Sequence, residues 1–279
     1  MLTKEYLIEQ LKKFNIEPNS ILLVHSSLKA LGRIDGGAET VIAALKETVC
    51  DGTLVMPTLS SKNWETVFED WSLDRPSDTG FITETFRLQP GSLRSDNETH
   101  SVAANGVYAE DITGGKNHVD PRYGIFGDYC FSKQSAWQRM YDSRARYGVN
   151  AYVLFWGVTM MYNTFKHFAE YRLVEELLNR IANEEKREAL KAELSHYPFP
   201  TDAEPDMLVW PFYSSLDYQD VLLNHGIAKK IPVGNGELIC ADIFESVNAV
   251  EKDLRLDPQE MLFPKAYAWV KKAIEAQKE

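Results

Sequence analysis

The best local signal for chemistry is the segment Thr164-Phe165-Lys166-His167-Phe168-Ala169-Glu170. On a helix, residues three apart face the same way, so Glu170 can hold one imidazole nitrogen of His167 while the other points at a substrate. A neighbouring carboxylate also favours the imidazolium, which makes His167 a stronger base, and Thr164 lies one turn earlier on the same face. The same spacing serves a plain structural or surface His/Glu pair, and spacing alone does not choose. The segment follows the apolar run Ala151 to Trp156, however, and open α/β sheets place their sites beyond the C-terminal ends of such strands.

Two other stretches could hold a ligand. Ser26 and Ser27 follow the β-type run Ile21-Leu22-Leu23-Val24, where a loop can offer backbone N–H groups and hydroxyls to phosphate, or can simply start a turn or helix. Ser95 and the small residues of His100-Ser101-Val102-Ala103-Ala104-Asn105-Gly106 would let a linear ligand lie against backbone, or would pack. Competing chemistries lack their motifs: there is no GxSxG elbow, no HExxH and no CxxC. His118 and Asp120 could ligate a metal but read equally as polar loop residues. Cys130 could be a nucleophile if His167 came near it, and otherwise is an inert thiol.

Elements that would position these groups can be read from the pattern. Thr3 caps a first helix with Leu7, Leu11 and Phe14 near one face, ending near Asn15. After Gly36-Gly37, Val41, Leu45 and Val49 recur at helical spacing, and Asp51-Gly52 leads into the strand Thr53-Leu54-Val55-Met56. Strand, loop, helix and strand within about forty residues read as a crossover between parallel strands. The middle, from Ser60 to Asn150, gives only scattered elements and long loops. Ala151 to Trp156 reads as a buried central strand and Thr164 onward as a helix carrying Phe168, Tyr171 and Val174. Asn183 caps a continuation with Leu190 and Leu194, ended by Pro198, Pro200 and Pro205. Ile231-Pro232-Val233 and Glu237 to Cys240 flank the hairpin turn Gly234-Asn235-Gly236, and Asp242 with Glu245 opens a helix bearing Ile243, Val247, Val250 and Leu254. The expected architecture is α/β: a single domain over residues 1–279, with a mixed central sheet flanked by helices and long active-site loops.

Composition sets the outer bounds. In 279 residues, 30 Lys+Arg against 41 Asp+Glu give a net charge of −11. That balance, with no basic stripe, disfavours nucleic acid as a partner. No apolar stretch reaches the ~20 residues that span a bilayer, and the first residues lack a leader-like run, so no membrane association and a cytoplasmic location are expected. Three cysteines, Cys50, Cys130 and Cys240, fit a reducing compartment.

Taken together the segments resemble the aminoglycoside 3-N-acetyltransferase family, which is distinct from the GNAT acetyltransferases. The matching stretches are Leu23-Val24-His25-Ser26-Ser27-Leu28 with Leu31-Gly32, Gly36 to Val41, and Asp51 to Thr58. They continue with Pro76-Ser77-Asp78-Thr79-Gly80, Phe86-Arg87, Pro90-Gly91, Arg94-Ser95, Ser101 to Gly106, Gly157-Val158 and Thr164 to Glu170. Order and spacing hold from about residue 20 to 172, and the C-terminal hundred residues match loosely.

The resemblance implies acetyl-CoA-dependent transfer to an amine of an amino sugar, either an aminoglycoside or a nucleotide-linked amino sugar. It makes His167 the general base, with Glu170 orienting it and Thr164 beside them, and has Ser26, Ser27, Leu28, Ser101 and Val102 contact coenzyme A. It implies no metal and is compatible with a homodimer. Two departures stand out. After Arg94-Ser95-Asp96 the chain has Asn97-Glu98 where the family pattern has His-Pro, and Met160-Met161-Tyr162 is bulkier than usual. The first bears on the acyl-end pocket and the second narrows or reshapes the acceptor side. Three readings follow: direct acyl transfer, a catalytically silent coenzyme A-binding homologue, and ping-pong transfer through Cys130. The acidic positions Glu65, Glu69, Asp70, Asp74 and Asp78 would attract a polycationic acceptor, or form plain surface.

Overall fold

The computed structural model describes residues 1–60, 71–114, 131, 133–194, 213–254 and 262–278, with the backbone alone for 250–254. In chain order the elements are α1 (Lys4–Lys12), β1 (Ile21–Ser26), α2 (Gly37–Thr48), β2 (Thr53–Pro57), α3 (Phe81–Arg87), β3 (Leu93–Arg94) and β4 (Val102–Gly106). Then follow α4 (Ala109–Ile112), α5 (Ala136–Tyr141), α6 (Ser143–Tyr147), β5 (Ala151–Trp156), α7 (Thr164–Asn179) and α8 (Glu184–Ala192). The chain ends with α9 (Ser215–Asn224), β6 (Ala228–Val233), β7 (Gly236–Asp242), α10 (Ile243–Leu254) and α11 (Pro264–Ala276).

The seven strands form one mixed sheet in the order β3-β4-β2-β1-β5-β7-β6. Its centre is parallel, β1 lying between β2 and β5, and its flanks are antiparallel. Helices cover both faces, which is why β1 and β5 read as nearly continuous apolar runs rather than alternating ones. Ile21, Leu23, Val153 and Phe155 pack on the face that carries α5, α7 and α10, while Leu22, Val24, Leu154 and Trp156 pack against α1 and α2. His25 shares the parity of Leu23, so β1 turns it toward the α7 side.

Local signals placed the helix starts. The Thr3 hydroxyl accepts from the Tyr6 N–H, the Asn183 side chain from the Lys186 N–H and the Asp242 side chain from the Glu245 N–H. The small-residue stretch read as a bed for a linear ligand is instead strand β4, paired with β2 on one side and β3 on the other. Its alanines are fully buried, Ala104 on the face that carries α4 and Ala103 on the face that carries α3, where small side chains let the helices approach closely. Among the described residues no helix is long and apolar enough to cross a membrane. Cys130, His118, Asp120, Glu65, Glu69, Asp70, Pro198, Pro200 and Pro205 lie outside the described residues, as do the side chains of Val250 and Leu254.

Candidate active site

A cavity of about 810 Å³ opens beyond the C-terminal ends of β1, β2 and β5. Its walls are the β1 end and the loop after it (His25, Ser26, Ser27, Leu28, Lys29), the segment from Asp78 to Phe81, and Gly157, Val158, Thr159, Tyr162 and Thr164. This is where a sheet with parallel central strands leaves a crevice, and the volume lies in the range of small-molecule sites.

Helix α7 starts at that wall. The side chain of Asn163 caps it by accepting from the Phe165 N–H, so Thr164 occupies the first helical position at the cavity and His167 the next turn. His167 Nδ1 lies 2.8 Å from Glu170 Oε2. A carboxylate only accepts, so Nδ1 carries the proton and Nε2 keeps the lone pair that a base needs. Glu170 is fully buried and each of its oxygens is engaged, Oε1 accepting from the Tyr213 N–H at 2.8 Å. Lys166 Nζ, also buried, stands 3.9 Å from Oε1 and donates to the Tyr213 carbonyl and to Ser215 Oγ. A buried carboxylate without such partners would cost several kcal/mol, and here a cation and a main-chain amide hold it in place.

Burial pulls the His167 pKa below the ordinary histidine value, while the Glu170 charge and hydrogen bond push the other way. His167 is thereby held neutral near pH 7 and ready to accept a proton. The Lys166 pKa is also lowered, by burial, against the opposing effect of Glu170.

The other expected site residues fall in two places. Ser26, Ser27 and Leu28 line the cavity, and Ser26 Oγ is buried without a hydrogen-bond partner. Ser27 is fixed by its N–H, which donates to the Trp156 carbonyl, and the loop is seated where Gly157 takes φ +67° and a side chain would meet Ala30 at 2.6 Å. Ser101 and Val102 do not line the cavity. Ser101 is fully buried with its hydroxyl bonded to Thr58 and to Arg94, and the Val102 N–H donates to Ser95 Oγ. Arg94 is the centre of that cluster. It donates to the carbonyls of Thr58, Leu73 and Arg75 and to the hydroxyls of Ser60, Thr58 and Ser101, and stacks on Trp71, with burial lowering its pKa to about 10.

The departures from the family pattern resolve differently. Asn97 Oδ1 accepts from the N–H groups of Thr99 and His100, so it stabilises a turn, and residues 96–98 are not among those lining the cavity. Met160 is a core residue, Met161 is exposed, and Tyr162 alone of the three stands at the cavity. Asp78 lines the cavity as well.

Reasoning from local pattern missed His25, Lys166 and the Tyr213 backbone as site components. For His25 the available signal was a histidine closing the apolar run Ile21 to Val24. For Tyr213, 43 residues from Glu170, no local signal exists.

Residues 23–255 match the family model described as aminoglycoside 3-N-acetyltransferase. A prophage-derived aminoglycoside N(3')-acetyltransferase-like protein of Bacillus subtilis, YokD, is 30% identical over 201 residues, covering 64% of this chain and 68% of that one. Aminoglycoside N(3)-acetyltransferase III of a Salmonella species is 34% identical over 131 residues, 40% of this chain and 46% of that enzyme, less than half its length. In fold, the aminoglycoside acetyltransferase AAC(3)-IVa apoenzyme superposes with a TM-score of 0.67 at 24% identity, covering 99% of this chain and 98% of that one. The chain belongs to the aminoglycoside 3-N-acetyltransferase family, N-acetyltransferases whose co-substrate is acetyl-CoA.

Proposed function

We propose that this protein transfers the acetyl group of acetyl-CoA directly to an amine of an amino sugar, with an aminoglycoside amine as the acceptor. The carrying observation is the Glu170–His167 pair on the first turns of α7, with Glu170 fully buried and His167 partly so, on the helix whose first residue, Thr164, lines the cavity. A thioester carbonyl is already electrophilic, so the protein has to align the amine, take its proton and stabilise the oxygen's developing charge. His167 Nε2 takes the amine proton as the N–C bond forms and the C–S bond breaks. The proton then goes to the departing thiolate, so that one acetamide and one free thiol result. Glu170 keeps the Nδ1–H in place and stabilises the imidazolium while it lasts.

The residues present fit coenzyme A. Ser26 Oγ is an unpartnered buried hydroxyl at the cavity wall, suited to an amide of a pantetheine arm, and Ser27 and Leu28 continue the same wall. Asp78 at the cavity would attract an ammonium group of the acceptor.

The experiment is thiol release from acetyl-CoA with a multi-amine aminoglycoside and with a nucleotide-linked amino sugar, for the wild type and His167→Ala. The expected result is turnover of the aminoglycoside, falling ~10²–10⁴-fold in kcat on loss of the base with little change in coenzyme A affinity. Turnover of the nucleotide-linked sugar alone would replace the acceptor and keep the mechanism. Binding of coenzyme A with no turnover of any amine would make the protein a silent homologue, and full activity of His167→Ala would remove the base assignment.

A further inference from the structure

His25 is unusual among the buried polar side chains. It is only 8% exposed, it lines the cavity, and its Nε2 is buried with no hydrogen-bond partner. A buried ring nitrogen left unpaired costs ~1–3 kcal/mol, so its persistence calls for a partner that arrives with the ligand. The ring is not free to search for one. It stacks on Phe155, the β5 residue paired with it across the sheet, with centroids 5.4 Å apart and planes within 7°.

Its surroundings also fix its charge. Burial, and after it the charge of His167, bring the His25 pKa down to about 3. Two imidazoliums cannot coexist here, so when His167 takes a proton, His25 is neutral. A neutral imidazole held rigidly within electrostatic reach of His167 is a hydrogen-bond donor that needs no reorganisation as negative charge develops nearby. Ser26, the next residue, also offers an unpaired group, but a hydroxyl can rotate, whereas the His25 ring is set by its stack.

We propose that His25 is a catalytic residue that donates a hydrogen bond from its unpartnered nitrogen to the thioester carbonyl oxygen as that oxygen gains negative charge. The bond changes at carbon are those given above, and His25 neither gains nor loses a proton. The inference rests on the acetyl-transfer reading. The thioester would lie with its carbonyl oxygen toward His25 and its carbon open to an amine that has His167 behind it.

The test has a spectroscopic arm and a kinetic arm. Acetyl-CoA labelled with ¹³C at the carbonyl is bound to the wild type, His25→Phe, His25→Gln and His167→Ala, and the carbonyl stretch is read by infrared difference. Phe keeps the stack on Phe155 and removes the donor, whereas Gln restores a neutral donor near the Nε2 position. The expected result is a stretch shifted to lower frequency in the wild type, Gln and His167→Ala proteins and lost in His25→Phe. In steady state, kcat of His25→Phe should fall ~10²–10³-fold with KM for acetyl-CoA within about threefold, and Gln should recover at least about tenfold of it. An unshifted stretch in the wild type, or equal shifts in the wild type and His25→Phe, overturns the proposal, as does a His25→Phe kcat within about threefold of wild type. Should His25→Phe not fold, His25→Asn, whose amide sits at the Nδ1 position, takes its place under the same criteria. Failure of the base reading shows separately, as undiminished turnover by His167→Ala whatever the carbonyl does.

Discussion

Replacing Glu170 by Gln isolates what the carboxylate does for His167 in its proposed role as base. In the wild type a carboxylate oxygen lies 2.8 Å from His167 Nδ1, and both groups carry charge when His167 holds the amine proton. Two unit charges at that separation attract by ~6 kcal/mol at an effective dielectric of about 20. In the transition state the proton is in flight and the Gln dipole replaces part of the attraction, so about half is lost, and ~3 kcal/mol slows the reaction ~10²-fold. The pH profile supplies the sign. The base works when neutral, so kcat/KM falls on the acid side as His167 protonates. Glu170 is the group that holds its pKa up against burial, and without it the pKa drops further. The acid limb should therefore move to lower pH while the plateau falls. Thiol release followed from pH 5 to 9 under kcat/KM conditions checks both, with circular dichroism to confirm folding. A limb that moves up, or a plateau within about twofold of wild type, would refute the argument that Glu170 stabilises the imidazolium.

Three further outcomes are expected. His25 is neutral when folded, with a pKa near 3 against an ordinary 6.5, so acidification protonates only the unfolded chain and stability falls as pH drops from about 6.5 toward 3. Urea unfolding at pH 7 and pH 4 should show His25→Gln losing ~3 kcal/mol less than the wild type over that interval, and equal losses would refute the buried-neutral assignment. Arg94→Lys strips the planar fork from the carbonyls of Thr58, Leu73 and Arg75 and should lower Tm by about 5–10 °C, read by calorimetry, because one ammonium cannot serve them all. Cys130→Ser should keep kcat within about twofold with intersecting initial-rate lines, whereas parallel lines and a dead variant would mean transfer through the thiol.

The parts of this molecule written in short stretches were readable in advance. Thr3, Asn183 and Asp242 cap helices with their own side chains, Gly234-Asn235-Gly236 turns a hairpin, and the three-residue spacing of His167 and Glu170 brings them together on α7. What escaped depends on distant partners. Strand β3 has two residues and β4 is built of small ones without strand-like alternation; β4 is a strand because β2 supplies its edge, and β3 because β4 does. The helices α9 and α11 carry weak caps, and neither Ser214 nor Phe263 makes a side-chain cap bond. Ser101 and Val102 illustrate the same limit. The family resemblance makes them coenzyme A contacts, whereas what distant partners add is the bond from Arg94 on β3 to the Ser101 hydroxyl, with neither residue in the cavity wall.

The support that Glu170 receives from Tyr213 has an evolutionary corollary. What reaches the Glu170 carboxylate from this segment is the Tyr213 amide N–H, and what receives Lys166 there, alongside Ser215 Oγ, is the Tyr213 carbonyl. Both groups belong to the main chain, and every amino acid but proline has both. Selection on the chemistry therefore does not read the letter at position 213 through these bonds. It reads only that a strand of backbone passes there in the right direction. As far as these bonds go, the side chain at 213 can change while Glu170 and Lys166 stay held. Proline at 213 is the one substitution that this freedom excludes on chemical grounds.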